Sequence, residues 1–377
     1  MSMINWKAES LGAVADMTTD KISVNKLSIE NYISTENMLP DRGGVAIASK
    51  LPTSGSINAF FPGDVLFSNI RTYFKKVWLA QRHGGASADV IVFRPKDCQK
   101  VDSQYLYYVL SSDAFIESTV IASKGTKMPR GDKDAMLRYM MPLPPLPIQQ
   151  RIAGILSAYD ELIENSQRRI KLLEAMARAL YREWFVHFRF PGHENHPRVP
   201  SPLGEIPQGW EVRTVEEIVK RIPVGKKYDQ KTVSSTGTIP VLDQGKSGII
   251  GFHDEQPGVE ATESTPVIVF ANHTCYQRLI HFPFSAIQNV LPFVSHPSVF
   301  RNIYWLHWVT NGLVAFNDYK GHWPEFAAKW IVVPPQDICQ DFGNFAEPIS
   351  RQILKLERAI QTLRRTRDLL LPRLLSG

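Results

Sequence analysis

The sequence predicts an α+β protein in which two globular mixed α/β domains are joined by two long antiparallel coiled-coil helices, giving a pseudo-twofold internal repeat. The first observation is a helical heptad written twice. Ile152, Leu156, Tyr159, Ile163, Ser166, Ile170, Leu173, Ala177, Leu180 and Trp184 lie alternately four and three apart. Adding 190 to each number gives Phe342, Ala346, Ile349, Ile353, Leu356, Ile360, Leu363, Arg367, Leu370 and Leu374, and Pro144 and Pro145 reappear as Pro334 and Pro335. A four-three stripe is a narrow apolar seam that needs a second helix to cover it, most simply the other copy. The second observation is that the stretches before the helices begin alike: Trp6, Leu11 and Val14 have the spacing of Trp210, Val215 and Ile218. Ungapped register over ten seam positions favours duplication over two unrelated helices of an ordinary bundle.

Residues 1–143 form the first domain of this reading. Short apolar runs between glycine and proline punctuation, Asp64–Asn69 and Asp89–Phe93, are strand candidates, and Ser103–Ser111 is a short helix candidate. Residues 144–190 hold the first long helix, about 38 residues from Ile148 to Phe185 or roughly 57 Å of rod. Residues 191–333 are a linker and the second domain. Pro191, Pro197, Pro200, Pro202 and Pro207 mark the linker, and Pro266–Ala271 is a further strand candidate. Residues 334–377 hold the second long helix. The positions expected to pair the helices are Ile152, Tyr159, Ile163, Ile170, Leu173 and Leu180 in the first and Ile349, Ile353, Leu356, Ile360, Leu363 and Leu370 in the second. Two departures occur in the second copy. Pro348 removes a helical donor and is expected to kink the rod, and Arg367 replaces Ala177 at a seam position, where a stem against the partner helix and a head in water are expected.

Composition removes options. With 43 Lys plus Arg against 37 Asp plus Glu the net charge is +6, and no run of 18 apolar residues is present. Split by segment, the net charge is +3 for 1–146, +2 for 147–190, −1 for 191–334 and +2 for 335–377. This permits nucleic-acid binding without arguing for it, so local clusters matter more. Cys98, Cys275 and Cys339 are scattered and have no Cys-x-x-Cys spacing, and the first residues lack an apolar signal core, which leads to a cytoplasmic expectation.

Pro142-Leu-Pro-Pro-Leu-Pro-Ile-Gln-Gln-Arg-Ile152 ahead of the first rod, Leu203-Gly-Glu-Ile-Pro-Gln-Gly-Trp210 at the start of the second domain and Leu371-Pro-Arg-Leu-Leu-Ser-Gly377 resemble the specificity subunit of type I restriction-modification systems. Gly63-Asp-Val-Leu-Phe-Ser68 and Ile239-Pro-Val-Leu-Asp-Gln-Gly245 with Ile249 and Gly251 add weaker similarity, and the likeness covers nearly the whole chain. The resemblance implies two target-recognition domains, each reading one half of an asymmetric, bipartite site in double-stranded DNA. It implies helices that set the spacing and dock two modification (methyltransferase) subunits, with restriction (helicase-nuclease) subunits completing the complex. It further implies that this chain is not an enzyme and binds no cofactor, S-adenosylmethionine and ATP with Mg being held by the partners. A pseudo-twofold pair of reading domains is also the geometry that matches half-sites about 34 Å apart.

The motif inventory agrees. No Asn-Pro-Pro-Tyr or Asp-Pro-Pro-Tyr string of an amino-methyltransferase is present. Gly245-Lys246-Ser247 ends like a phosphate-binding loop, but Pro240 stands where its first glycine belongs. Asp318-Tyr-Lys320 arises readily by chance, and His193-Glu-Asn-His196 lacks metal-ligand spacing and sits among prolines, so no metal site is expected.

DNA contacts are therefore expected from loops. In the first domain Lys124, Lys127 and Arg130 alternate with glycine and proline, and Asn69, Arg71, Lys75 and Lys76 form a second group. In the second domain the candidates are Lys226, Lys227, Gln244, Lys246, Lys320 and His322. A different reading is a coiled-coil adaptor holding two protein-binding modules; that reading calls for apolar loops in place of the glycine-basic ones.

Overall fold

The computed structural model describes residues 6–376 apart from 126, 246, 247, 300 and 319. They form two compact units, Met1–Asn165 with Ala359–Gly377 and Ser166–Arg358. Each unit contains one recognition domain and a stretch of both long helices.

The first long helix spans Leu146–Tyr181 and runs on as a π turn over Arg182–Val186. The second spans Gln336–Ser376. Both are rich in Ala, Leu, Glu, Gln and Arg, whose unbranched or small side chains keep most of their freedom in a helix. All ten seam positions are buried or half-buried in each copy. In the first unit Ile152, Ala153 and Leu156 share a core with Leu371 and Leu375, so the start of one helix meets the end of the other. In the second unit Trp184 and Phe185 share a core with Phe342 and Ala346, end against start. Both packings are antiparallel, as the duplicated seam requires. The second helix is unbroken through Pro348, which lies on its exposed face.

Arg367 departs from the expectation of a head in water. It is 7% exposed, its Nη1 is 2.5 Å from Asp160 Oδ1, and its Nε and Nη2 donate to Asp368. The Tyr108 hydroxyl donates to the other Asp160 oxygen at 2.7 Å. A carboxylate beside the seam of the facing helix, next to Tyr159, supplies a partner, so the guanidinium need not reach solvent.

The recognition domains are built on the same central sheet. In the first, the strands Ala15–Met17, Val90–Pro95, Val65–Ser68 and Val77–Leu79 lie in that spatial order; in the second the order is Val219–Arg221, Val290–Ser295, Val267–Ala271 and Gln277–Ile280. All neighbours are antiparallel. Successive side chains of a strand point to opposite faces. Val65, Phe67, Ile91 and Phe93 therefore join the core that includes the long helices, while Leu66, Val90 and Val92 join a second core with Ile33, Phe60 and Ala86. In the other domain Ile268, Phe270 and Phe293 face the helix-side core, and Val267, Val269 and Val290 face the second. Each sheet is thus covered on both sides, which is why these strands read as continuous apolar runs.

A second four-stranded sheet covers the far face, and here the domains differ. The strand Ser56–Phe60 is antiparallel to Gly84–Ala86, whereas Ile239–Leu242 is parallel to Ser285–Ile287. The shared frame at the domain starts is visible at residue level: Leu11 and Val14, like Val215 and Ile218, are the buried residues of matching four-residue helices. Gln149 anchors the first long helix. Fully buried, it donates to the Lys100 and Pro144 carbonyls and accepts from the Asp102 N–H, at 2.8–3.0 Å. The proline-rich linker folds as the hairpin Arg198–Ser201 with Gly204–Pro207.

Candidate nucleic-acid interface

The two basic groups of the first domain, separate in sequence, are one feature in space. The central strand Val65–Ser68 ends at Asn69, whose N–H donates to the Asp89 carbonyl at 2.8 Å and whose carbonyl accepts from Gly131 N–H at 3.1 Å. The chain then makes a 3-10 turn, Thr72–Phe74, with Arg71 and Lys75 at its ends in the left-handed region. Arg71 N–H donates to the Pro129 carbonyl at 2.8 Å, and Lys124 and Arg130 exchange backbone bonds of 2.9 Å. The loop around Lys124–Arg130 is therefore clamped onto the turn.

The side chains divide by role. Arg71, Lys124, Lys127 and Arg130 are exposed. Lys124 is 2.6 Å from Asp132 and Arg130 is 2.9 Å from Asp89, ion pairs that pre-position both cations without neutralising their reach. The Lys124 ammonium holds the Asp132 carboxyl down to about 2, and its own acidity is weakened in return. Lys75 pairs with Asp113 at 2.8 Å. Lys76 is directed elsewhere: its half-buried ammonium donates to the Thr35 carbonyl at 2.6 Å, and burial lowers its pKa. Asn69 is buried, and it is its backbone N–H and carbonyl that hold the turn.

In the second domain Asn272 occupies the place of Asn69, directly after the central strand. Its N–H donates to the Asn289 carbonyl at 2.9 Å and its carbonyl accepts from His322 N–H at 2.9 Å. Its side-chain oxygen takes a further bond from Trp323 N–H at 2.8 Å. Gln244 and Lys320 meet at His273: Gln244 Oε1 accepts from the His273 N–H at 2.8 Å, and the His273 ring nitrogen lies 3.0 Å from the Lys320 carbonyl. Lys320 is exposed beside Asp318. His322 corrects the sequence reading. It is 0% exposed, packed at the start of the helix Trp323–Ala327, and cannot touch DNA from there. Lys226 pairs with Glu255 at 2.6 Å on the far sheet, beside exposed Lys227. Lys246 lies outside the described residues.

Sequence reasoning missed His273 and Thr274, which hold Gln244, and the exposed aromatic pair Tyr73 and Phe74. The signal for the first was an asparagine after each buried strand, Phe67-Ser68-Asn69 and Phe270-Ala271-Asn272. Among the described residues no group of His, Cys, Asp and Glu is arranged to hold a metal ion.

Comparison with known proteins finds one consistent likeness. Residues 5–175 match the model of the type I restriction modification DNA specificity domain. The chain is 25% identical over 401 residues to the MjaIX specificity subunit of Methanocaldococcus jannaschii, covering 98% of this chain and 92% of that protein. Over nearly its whole length the chain is similar to a type I restriction-modification specificity subunit. A second relative from the same organism, the MjaVIII specificity subunit, is 33% identical over 36% of this chain and 31% of its own length. The Escherichia coli EcoR124I/EcoR124II specificity subunit is 29% identical over 37% of each chain. The crystal structure of a type I S subunit from M. genitalium shares the fold, with a TM-score of 0.62 at 15% identity over 100% of this chain and 98% of that one. This likeness to specificity subunits favours a DNA-recognition protein over the adaptor reading.

Proposed function

We propose that each recognition domain reads one half of a bipartite, asymmetric site in double-stranded DNA, through the loops gathered at the end of its central strand. The observation that carries this is the duplicated asparagine frame. Asn69 and Asn272 end matching strands, and each carbonyl holds the backbone of the loop that brings exposed basic side chains to that edge. In the first domain Arg71, Lys124, Lys127 and Arg130 serve; in the second, Lys320 with Gln244, while Lys226 and Lys227 hold backbone phosphates further along.

The long helices set the distance between half-sites and dock two modification subunits. In support, Ile155 and Leu162 in the first unit, and Leu172, Met176 and Phe345 in the second, are large apolar side chains left exposed on the helices. The chain acts without chemistry of its own. S-adenosylmethionine for adenine methylation is bound by the modification subunits, and ATP with Mg by restriction subunits that join the full complex. The assembly works in the cytoplasm; no helix among the described residues is long and apolar enough to cross a membrane.

The test is methylation sequencing of DNA exposed to the chain with its modification subunits. Exchanging residues 6–141 for another recognition domain changes one half of the methylated motif and leaves the other half and the spacing intact. A swap that alters both halves, or a continuous methylated motif, overturns the reading. So does methyl transfer by the purified chain alone.

A further inference from the structure

Backbone strain in the first unit is concentrated at one spot. Among the described residues seven non-glycine positions have positive φ, and four of them, Asp41, Arg42, Arg71 and Lys75, lie in two turns that bond to each other. Asp41 N–H donates to the Phe74 carbonyl and Arg42 N–H to the Lys75 carbonyl, both at 2.9 Å. Left-handed backbone at such residues persists only where surrounding structure enforces it, and it clusters at ligand clamps. What this scaffold presents is the pair Tyr73 and Phe74, 47% and 39% exposed, with ring centroids 4.7 Å apart. Lys76 sits 5.9 Å from the Phe74 ring centre.

Large aromatic side chains are costly to leave in water, and these are held out by a rigid turn. Their surroundings are cationic: Arg71 and Lys75 flank them, and the loop bearing Lys124, Lys127 and Arg130 is bonded to the same turn. The acids nearby are Asp113, paired with both Arg42 and Lys75, Asp41 in the turn bonded to Phe74, and Asp132 and Asp89, which pair with Lys124 and Arg130. A rim of cations around an apolar, planar tip fits a polyanion whose bases offer flat apolar faces. Among the described residues the second domain has no such device. Its matching connection, between Ala271 and Gln277, is shorter, and Tyr276 there is 36% exposed without an aromatic partner of this kind.

We propose that Tyr73 and Phe74 form an aromatic wedge that stacks on and opens a base step in the half-site bound by the first domain, so that the two half-sites are recognised by different physics. The first half-site is selected partly for how easily it unstacks, and the second without such deformation. This inference rests on the DNA-reading assignment of the first domain. Pyrimidine–purine steps, the most easily unstacked, are the expected position.

The experiment uses the chain in complex with its modification subunits and duplexes carrying 2-aminopurine at successive positions of the methylated motif. The wild-type complex brightens the probe at one step of the first half-site, besides any brightening at the methylated adenine position. Y73A/F74A abolishes the first signal, leaves the second and weakens binding of the cognate duplex about 10- to 100-fold. K127A, by contrast, weakens binding to all sequences while keeping the step signal. The wild-type scan needs no variant, so a folding defect does not blunt the test. No brightening away from the methylated position, with cognate binding intact, overturns the wedge and spares the DNA-reading assignment. A step signal that survives Y73A/F74A overturns it too, as does a variant that binds DNA normally but fails to assemble with its partner subunits. Failure of the wild-type complex to bind any sequence selectively overturns the underlying assignment instead.

Discussion

The network of Tyr108, Asp160, Arg367 and Asp368 shows how one seam position departs from its duplicate. Ala177 needs no partner, whereas Arg367 is desolvated and depends on Asp160 at 2.5 Å. Replacing Arg367 by Ala leaves the partly buried Asp160 carboxylate without its cation, with only the Tyr108 hydroxyl bonded to it, so a loss of about 3 kcal/mol in denaturant unfolding is expected. The double change D160L/R367L is expected to recover most of it, since a packed apolar pair costs no desolvation. If the double variant is as unstable as the single one, the pair is not the cause. His307 gives the pH dependence. Burial, with a smaller contribution from His281, pushes its imidazole down to about 4 from 6.5. In the unfolded chain it takes up a proton below about pH 6.5, so unfolding is favoured as pH falls from 6.5 to about 4 and no further below that. The effect is at most about 3 kcal/mol. Melting curves across this window should flatten in H307Q. Asp132, held down to about 2, acts in a separate and lower window: its contribution is present above 3.8 and is lost as pH falls toward 2.

At the scale of elements, the long helices are held by a seam whose centre is apolar in both copies. Ile360 is buried and Ile170 half-buried. Aspartate at Ile360 is expected to cost about 2–5 kcal/mol and at Ile170 less, and a double variant as stable as the wild type would refute the paired-helix seam. The strands are constrained differently. A Cβ on Gly84 would lie 2.1 Å from the Asn31 carbonyl oxygen, and one on Gly258 2.1 Å from that of Val224. Because the obstacle is backbone, it cannot swing aside. G84A and G258A are expected to lower stability by about 1–3 kcal/mol, measurable by calorimetry. The central strands were legible because they are covered on both faces: Val65–Ser68, Val90–Pro95 and Val267–Ala271 fall where the apolar runs put them. The far sheets were not, since their strands of two to five residues carry too little periodicity to be read.

For the whole molecule, the proposed function assigns recognition and spacing to separate segments. The central sheet, the domain-start helices and the long helices are duplicated, while the far sheets pair their strands differently. Affinity for DNA is expected to fall steeply with salt, because a net charge of +6 is small and the exposed cations are concentrated in a few loops. Removing Lys127 should flatten the slope of log affinity against log salt by about 1, whereas loss of a base-reading Arg130 should cost about 1–3 kcal/mol and relax one position of the motif. Filter binding over a salt series, with methylation sequencing, separates the two.

The sequence by itself determined the duplication and the two helices, because a heptad seam and a buried strand are periodic signals that survive in one dimension, and its motifs carried the likeness to specificity subunits. It also named most of the basic residues. Which of them face outward was decided by tertiary structure alone. Lys320 and His322 are two residues apart, yet one is exposed and the other 0% exposed, because the carbonyl of Asn272, distant in sequence, fixes the backbone between them. Asn69 and Lys76 are likewise drawn inward by hydrogen bonds to Gly131, Asp89 and Thr35. Tyr73 and Phe74 are pushed outward by a turn whose strain depends on Asp41 and Arg42, some thirty residues earlier. Long-range backbone bonds of this kind leave no periodic trace in the chain, so side-chain direction in loops could be settled only in three dimensions.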